Sequence, residues 1–214
     1  MPISHKHRCI FIHVPKCGGT SIEDALGMLR DWRLEDAAAM YGRVASPAWL
    51  ALNWGSNFLQ HLTWDEFTQA VPMDRRLGYR SFAFVRHPLH RIASEWSHID
   101  GDLLDYARTR GVELAGLNFE DFVAQAVGLH HPHIRPQTDF LLGGDGRLAV
   151  QEIGRFENFE QEFLRICGLL GVKATLPHRN RGNRQLRADM YTARVRAVVA
   201  ERYQSDFQFF GYQP

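Results

Sequence analysis

Phe11-Ile-His-Val-Pro-Lys-Cys-Gly-Gly-Thr-Ser-Ile22 decides the fold. A β-type apolar run from Cys9 to Val14 stops at Pro15 and gives way to Lys16, two glycines and two hydroxyl residues. Ile22, Ala25, Leu26 and Leu29 then recur at helical spacing. The stretch therefore reads as a strand, a tight turn carrying a cation, and a helix start. Gly18 and Gly19 allow close backbone approach and expose N–H groups, and Thr20 and Ser21 add hydroxyl donors. With the partial positive charge of a helix N-terminus, such a loop suits a phosphate or a similar tetrahedral anion.

Outward from this loop, strands alternate with helices. A second strand is expected at Tyr79–Arg86, followed by a helix opening at Pro88, a favoured first helical position. Residues 100–116 read as helix plus loop, and Asn118 as the cap of a helix through Phe119, Phe122, Val123 and Ala126. Gly143-Gly-Asp-Gly146 is a turn before a third strand at Leu148–Ile153. Glu157 and Asn158 open a helix that runs to Leu170 and ends at Gly171, and Ala188–Gln204 reads as one C-terminal helix. Residues 30–78, which hold Trp32, Trp49, Trp54 and Trp64, read irregularly. The pattern predicts an α/β fold with a mainly parallel sheet flanked by helices. Ligands of such sheets sit beyond the carboxyl ends of the strands, where Lys16 and Arg86 fall.

Bulk composition narrows the classes. A chain of 214 residues, 45% hydrophobic, can bury the core of one domain. A formal net charge of +1 argues against a general polyanion binder, so no nucleic-acid partner is expected. Lys6, Lys16 and Lys173 are the only lysines against many arginines, which singles out the lysine in the anion loop. Cys9, Cys17 and Cys167 form no CxxC and cannot all pair, and no secretory signal or long apolar run is present. A cytoplasmic protein without a membrane span is the expectation.

The phosphate-binding class can be narrowed further. In the Walker A motif the lysine follows the glycines, whereas Lys16 precedes them. Nucleoside triphosphatases also need a strand-end acid for magnesium, but Ser81-Phe-Ala-Phe-Val85 ends in Arg86. Ser94 lies two helical turns beyond Arg86, so the pair forms a second anion site, with Arg91 either joining it or facing solvent. Two anion sites imply a ligand phosphorylated at two places.

These stretches resemble the PAPS-dependent sulfotransferases, most nearly the carbohydrate branch that includes the uronyl 2-O-sulfotransferases and their short bacterial relatives. Pro15-Lys-Cys-Gly-Gly-Thr-Ser21 is similar to the family's 5′-phosphosulfate loop, and Val85-Arg-His-Pro-Leu-His-Arg-Ile-Ala-Ser94 to its 3′-phosphate motif. Weaker similarities are His133-Ile-Arg-Pro-Gln137 with Phe140-Leu141, Arg155-Phe-Glu-Asn158, Leu176-Pro-His-Arg-Asn180, and Asp206-Phe-Gln-Phe-Phe-Gly-Tyr212. Cys17 departs from the family's usual threonine, which would make the loop sensitive to thiol reagents.

The resemblance implies a P-loop-type three-layer fold and one sulfotransferase domain over 1–214, with an acceptor-side insert around 30–78. It implies PAPS as donor, PAP as product, no metal, and a small-molecule or glycan acceptor. Lys16 would stabilise the departing phosphate, beside Cys17, Gly18, Gly19, Thr20 and Ser21. Arg86 and Ser94 would hold the 3′-phosphate. His61 stands at the family's base position, with Asp65 and Glu66 as alternatives and packing against Phe58, Leu62 and Trp64 as the structural reading. His13 reads as a structural residue or loop support, and Pro132 interrupts any metal pattern in His130, His131 and His133. Arg179, in the arginine-rich stretch to Arg187, would close over the nucleotide or the acceptor, or be solvated. Two other classes stay open: a P-loop small-metabolite kinase, which needs magnesium and ATP, and a non-catalytic nucleotide-binding module.

Overall fold

The computed structural model describes residues 1–45, 58–177 and 187–214. The chain packs as two compact units. One comprises Met1–Val85 and Asp139–Arg179, the other Arg86–Thr138 and Asn180–Pro214.

The first unit is built on a four-stranded sheet in the order β1 (Ile3–Ser4), β2 (Cys9–Ile12), β3 (Arg80–Val85) and β4 (Glu152–Arg155). β2, β3 and β4 run parallel, with Phe11 opposite Phe82 and Ile12 opposite Ala83. Every residue of β2 is buried, as are Ser81–Val85 of β3. Apolar residues on both faces are what a parallel sheet covered on two sides demands. Phe82 and Phe84 are fully buried, each side chain contributing about 2–3 kcal/mol of apolar burial. The first helix, α1 (Gly19–Ala25), follows β2, and α8 (Phe159–Leu170) follows β4 and packs back on it. The sequence-based expectation of a mixed α/β fold with a mostly parallel sheet therefore holds.

The differences lie in short or displaced elements. β1 pairs antiparallel with β2 through Ile3–Ile10 and Ser4–Cys9, ahead of the first strand that the apolar pattern predicts. Among the described residues of 30–78 lie a 3-10 turn (Leu59–His61) and the helices α2 (Trp64–Ala70) and α3 (Met73–Arg76). Phe67 is the one residue that α2 buries, so no apolar periodicity betrays it. Its start is fixed instead by a capping box between Thr63 and Glu66. The third expected strand begins four residues later than Leu148, because Leu148 bridges back to Leu142 across the Gly143–Gly146 turn.

The second unit holds α4 (Pro88–Ser97), α5 (Gly101–Arg108), α6 (Phe119–Ala126), α9 (Ala193–Arg202) and α10 (Gln204–Phe210), with α7 (Thr138–Leu141) beginning at its last residue before the chain re-enters the first unit. α4, α6 and α9 pack on one another. Pro88 is the first residue of α4, and the Asn118 side chain accepts from the Asp121 N–H at the start of α6, both as expected. The expected single C-terminal helix is broken at Tyr203, which leaves helical geometry. The break buries Tyr203 completely and lets its hydroxyl donate to the Ile134 carbonyl at 2.8 Å. Among the described residues, no helix is long and apolar enough to cross a membrane.

Candidate active site

The turn after β2 takes its shape from two left-handed residues. Lys16 has φ 66° and Gly18 φ 83°, with Cys17 between them on the ordinary side. Alternation of hand swings successive N–H groups toward one concavity, the geometry of an anion-binding nest. A lysine held left-handed costs about 1–3 kcal/mol that its surroundings must supply. Gly18 then caps α1 without any side-chain hydrogen bond, and the Ser21 and Ile22 amides donate to its carbonyl at 3.1 and 3.2 Å. Lys16 and Thr20 are half-buried and Ser21 is buried.

Both glycines answer to protein rings. A Cβ on Gly18 would lie 2.5 Å from Phe159 Cζ and 3.1 Å from Phe156. A Cβ on Gly19 would overlap the imidazole of His13. Phe159 in turn meets Phe84 of β3 edge to face, with centroids 5.2 Å apart. The similarity at Arg155-Phe-Glu-Asn158 thus acquires a physical meaning: its aromatic residue, with Phe159 after it, forms the floor beneath Gly18. Close packing inside the protein excludes side chains at both positions, and at Gly18 the left-handed backbone disfavours them as well. Cys17 is 1% exposed, with its thiol 3.7 Å from the Pro15 carbonyl. The expected sensitivity to thiol reagents is corrected accordingly, because the sulfur faces inward.

His61, in the 3-10 turn, is buried at 8% exposure. Its Nδ1 lies 3.3 Å from the carbonyl oxygen of His13, and the two rings meet edge to face at 4.7 Å. A histidine that donates Nδ1–H to a carbonyl carries its basic lone pair on Nε2. Glu66, one of the alternative bases, is committed to its capping box: Oε2 accepts from the Thr63 N–H at 2.8 Å. Asp65 is exposed.

In the second unit, Arg86 and Ser94 are both half-buried, Arg86 just ahead of α4 and Ser94 within it. The Arg86 backbone is clamped by one side chain. Gln137 Oε1 accepts the Arg86 N–H and Gln137 Nε2 donates to the Arg86 carbonyl, each at 2.8 Å. Gln137 is held by Asp206, which is fully buried and accepts from the Gln137 N–H and Nε2 and from the Thr138 N–H and hydroxyl, at 2.9–3.1 Å. Two of the weaker sequence similarities thus converge on the turn that carries Arg86. Tyr191 belongs to the same neighbourhood: burial pushes its hydroxyl up, and the charges of Arg86 and Arg196 oppose that shift.

Arg91 neither joins the anion site nor faces solvent. It is 1% exposed, donates to the carbonyls of His133 and Arg135 at 3.2 and 2.6 Å, and lies over the Tyr203 ring. His131 and His133 pair with carboxylates, Asp102 at 3.3 Å and Glu95 at 2.9 Å. Arg179 and most of the arginine-rich stretch lie outside the described residues, as do Trp49 and Trp54. Sequence reading missed Gln137 and Asp206 as supports and Tyr191 as a neighbour of Arg86; the only signal for the first two was their place in weak motif similarities.

The left-handed turn follows β2 and Arg86 follows β3, each within its own unit, and one comparison gives the chain a family. A sequence model of the sulfotransferase family matches residues 1–213. The chain belongs to the sulfotransferase family, and is a transferase by that membership. No curated protein and no solved structure matches it.

Proposed function

We propose that the protein transfers a sulfuryl group from PAPS to an acceptor hydroxyl, and that the acceptor is a carbohydrate. The observation that carries this reading is the Lys16–Gly18 nest at the end of β2, inside a chain that the sulfotransferase family model spans. The carbohydrate acceptor rests on the resemblance to the uronyl 2-O branch alone.

PAPS supplies an activated sulfuryl group whose leaving group is a phosphate. The residues present fit it. Lys16 and the amides of Gly18, Gly19 and Thr20 would hold the 5′-phosphate, where preorganised donors stabilise developing charge. Cys17 would serve through its backbone, since its side chain is buried, and Ser21, whose N–H donates to the Gly18 carbonyl, would hold the turn of the loop in shape. Arg86, by a bidentate fork, and Ser94 would hold the 3′-phosphate. His61 would accept the acceptor's proton at Nε2, the nitrogen left basic by its Nδ1 contact. The two compact units would act as one sulfotransferase domain, with the insert around 30–78 on the acceptor side.

The test is thermal stabilisation by adenosine 3′,5′-bisphosphate against AMP, ADP and ATP, with and without magnesium. A ligand at 100 times its dissociation constant adds about 2.7 kcal/mol. Metal-independent stabilisation by the bisphosphate is the expected result. Stabilisation by ATP only with magnesium would assign the protein to the kinases instead.

A further inference from the structure

The His13 ring is buried and contacted by named groups of the first unit on its face, its edge and both nitrogens. Phe11 stacks on it at 5.6 Å and His61 meets it edge to face at 4.7 Å. Its Nδ1 is 2.5 Å from Glu23 Oε1, and Glu23 is 1% exposed and also accepts from the Tyr41 hydroxyl at 3.2 Å. The Nε2 edge abuts Gly19 so closely that a Cβ there would overlap the ring. Gly19 and Glu23 lie one turn apart on α1, so the ring spans the first turn of the helix on which the anion loop ends. Gly19 has no left-handed backbone that would itself call for glycine. The ring is what a Cβ at position 19 would strike first.

We propose that His13 is the positioning residue of the anion loop, its ring fixed by Glu23 and Phe11 and setting where the first amides of α1 stand. The same residue's carbonyl receives His61 Nδ1, so one backbone position registers both the donor loop and the proposed base. This rests on the sulfotransferase reading of the site. It assigns to His13 a role in donor binding, beyond filling the core.

The experiment is a double-mutant cycle on bisphosphate affinity with Gly19→Ala, His13→Asn and both together. Asparagine retains an N–H at the Nδ1 position for buried Glu23 but lacks the ring edge, so it makes room for a Cβ at 19. Gly19→Ala alone should weaken bisphosphate binding at least about thirtyfold, and adding His13→Asn should recover about tenfold of that loss. Wild-type affinity in Gly19→Ala, or a double variant no tighter than Gly19→Ala, would overturn the proposal. Urea midpoints of the same four proteins keep the two claims apart. If the wild type binds no bisphosphate, the sulfotransferase reading fails. The ring's control of position 19 is then still upheld by a double variant more stable than Gly19→Ala, and overturned by one that is not.

Discussion

Two turns follow adjacent parallel strands in this protein, and they are built in different ways. The turn after β2 is shaped locally: Lys16 and Gly18 turn left-handed, and most of the residues that decide its course lie within a dozen positions. The turn after β3 is shaped from afar. Arg86 is fixed by a glutamine 51 residues away, which is fixed by an aspartate 69 residues further on. A local turn carries its own sequence signature. A turn held by distant hydrogen bonds shows only the residue held, with nothing nearby to say by what.

Substitutions that attack each turn by its own means should separate the two designs. The largest effect is expected at Asp206. Asp206→Ala strands four buried donor contacts from Gln137 and Thr138, which should cost about 3–5 kcal/mol in urea unfolding. Gly18→Ala comes next. It forces a left-handed alanine against Phe159, at about 2–4 kcal/mol, and should abolish bisphosphate binding while the chain keeps its far-ultraviolet signature. Gln137→Ala should cost about 2 kcal/mol, because the Arg86 N–H and carbonyl lose their partner at once. It should weaken bisphosphate binding more than AMP binding, which isothermal titration would read. The smallest effect belongs to Glu66→Ala, at about 1 kcal/mol for its capping box, with turnover unchanged. A large loss of turnover in that variant would return Glu66 to candidacy as the base in place of His61.

Legibility followed the same division. β2, β3, the Pro88 helix start and the Asn118 cap were readable because their signals are local: an apolar run, a proline at the first helical position, a capping side chain. The helix break at Tyr203 was not, since only the burial of Tyr203 and Asp206 against residues 134–138 explains it. β1, two residues long, and α2, with one buried side chain, fall below any periodic signal. In the site, Lys16 and the glycines stood out, but the reason given for the glycines was incomplete. Ligand approach is what a glycine pair suggests on paper, while the rings of Phe159 and His13 are contacts that appear only once the chain is folded. Arg91 shows the converse: a cation beside a motif, expected at an anion or in solvent, is consumed by two carbonyls in the interior.

The most direct measurement is the affinity of adenosine 3′,5′-bisphosphate relative to AMP, by isothermal titration, in the wild type, Arg86→Ala and Lys16→Ala. If Arg86 holds the 3′-phosphate and Lys16 the 5′-phosphate, the wild type should prefer the bisphosphate by about 100-fold, a difference of about 2.7 kcal/mol. Arg86→Ala should erase most of that preference, and Lys16→Ala should weaken both ligands while leaving it intact. A preference that survives Arg86→Ala unchanged would contradict the two-site assignment.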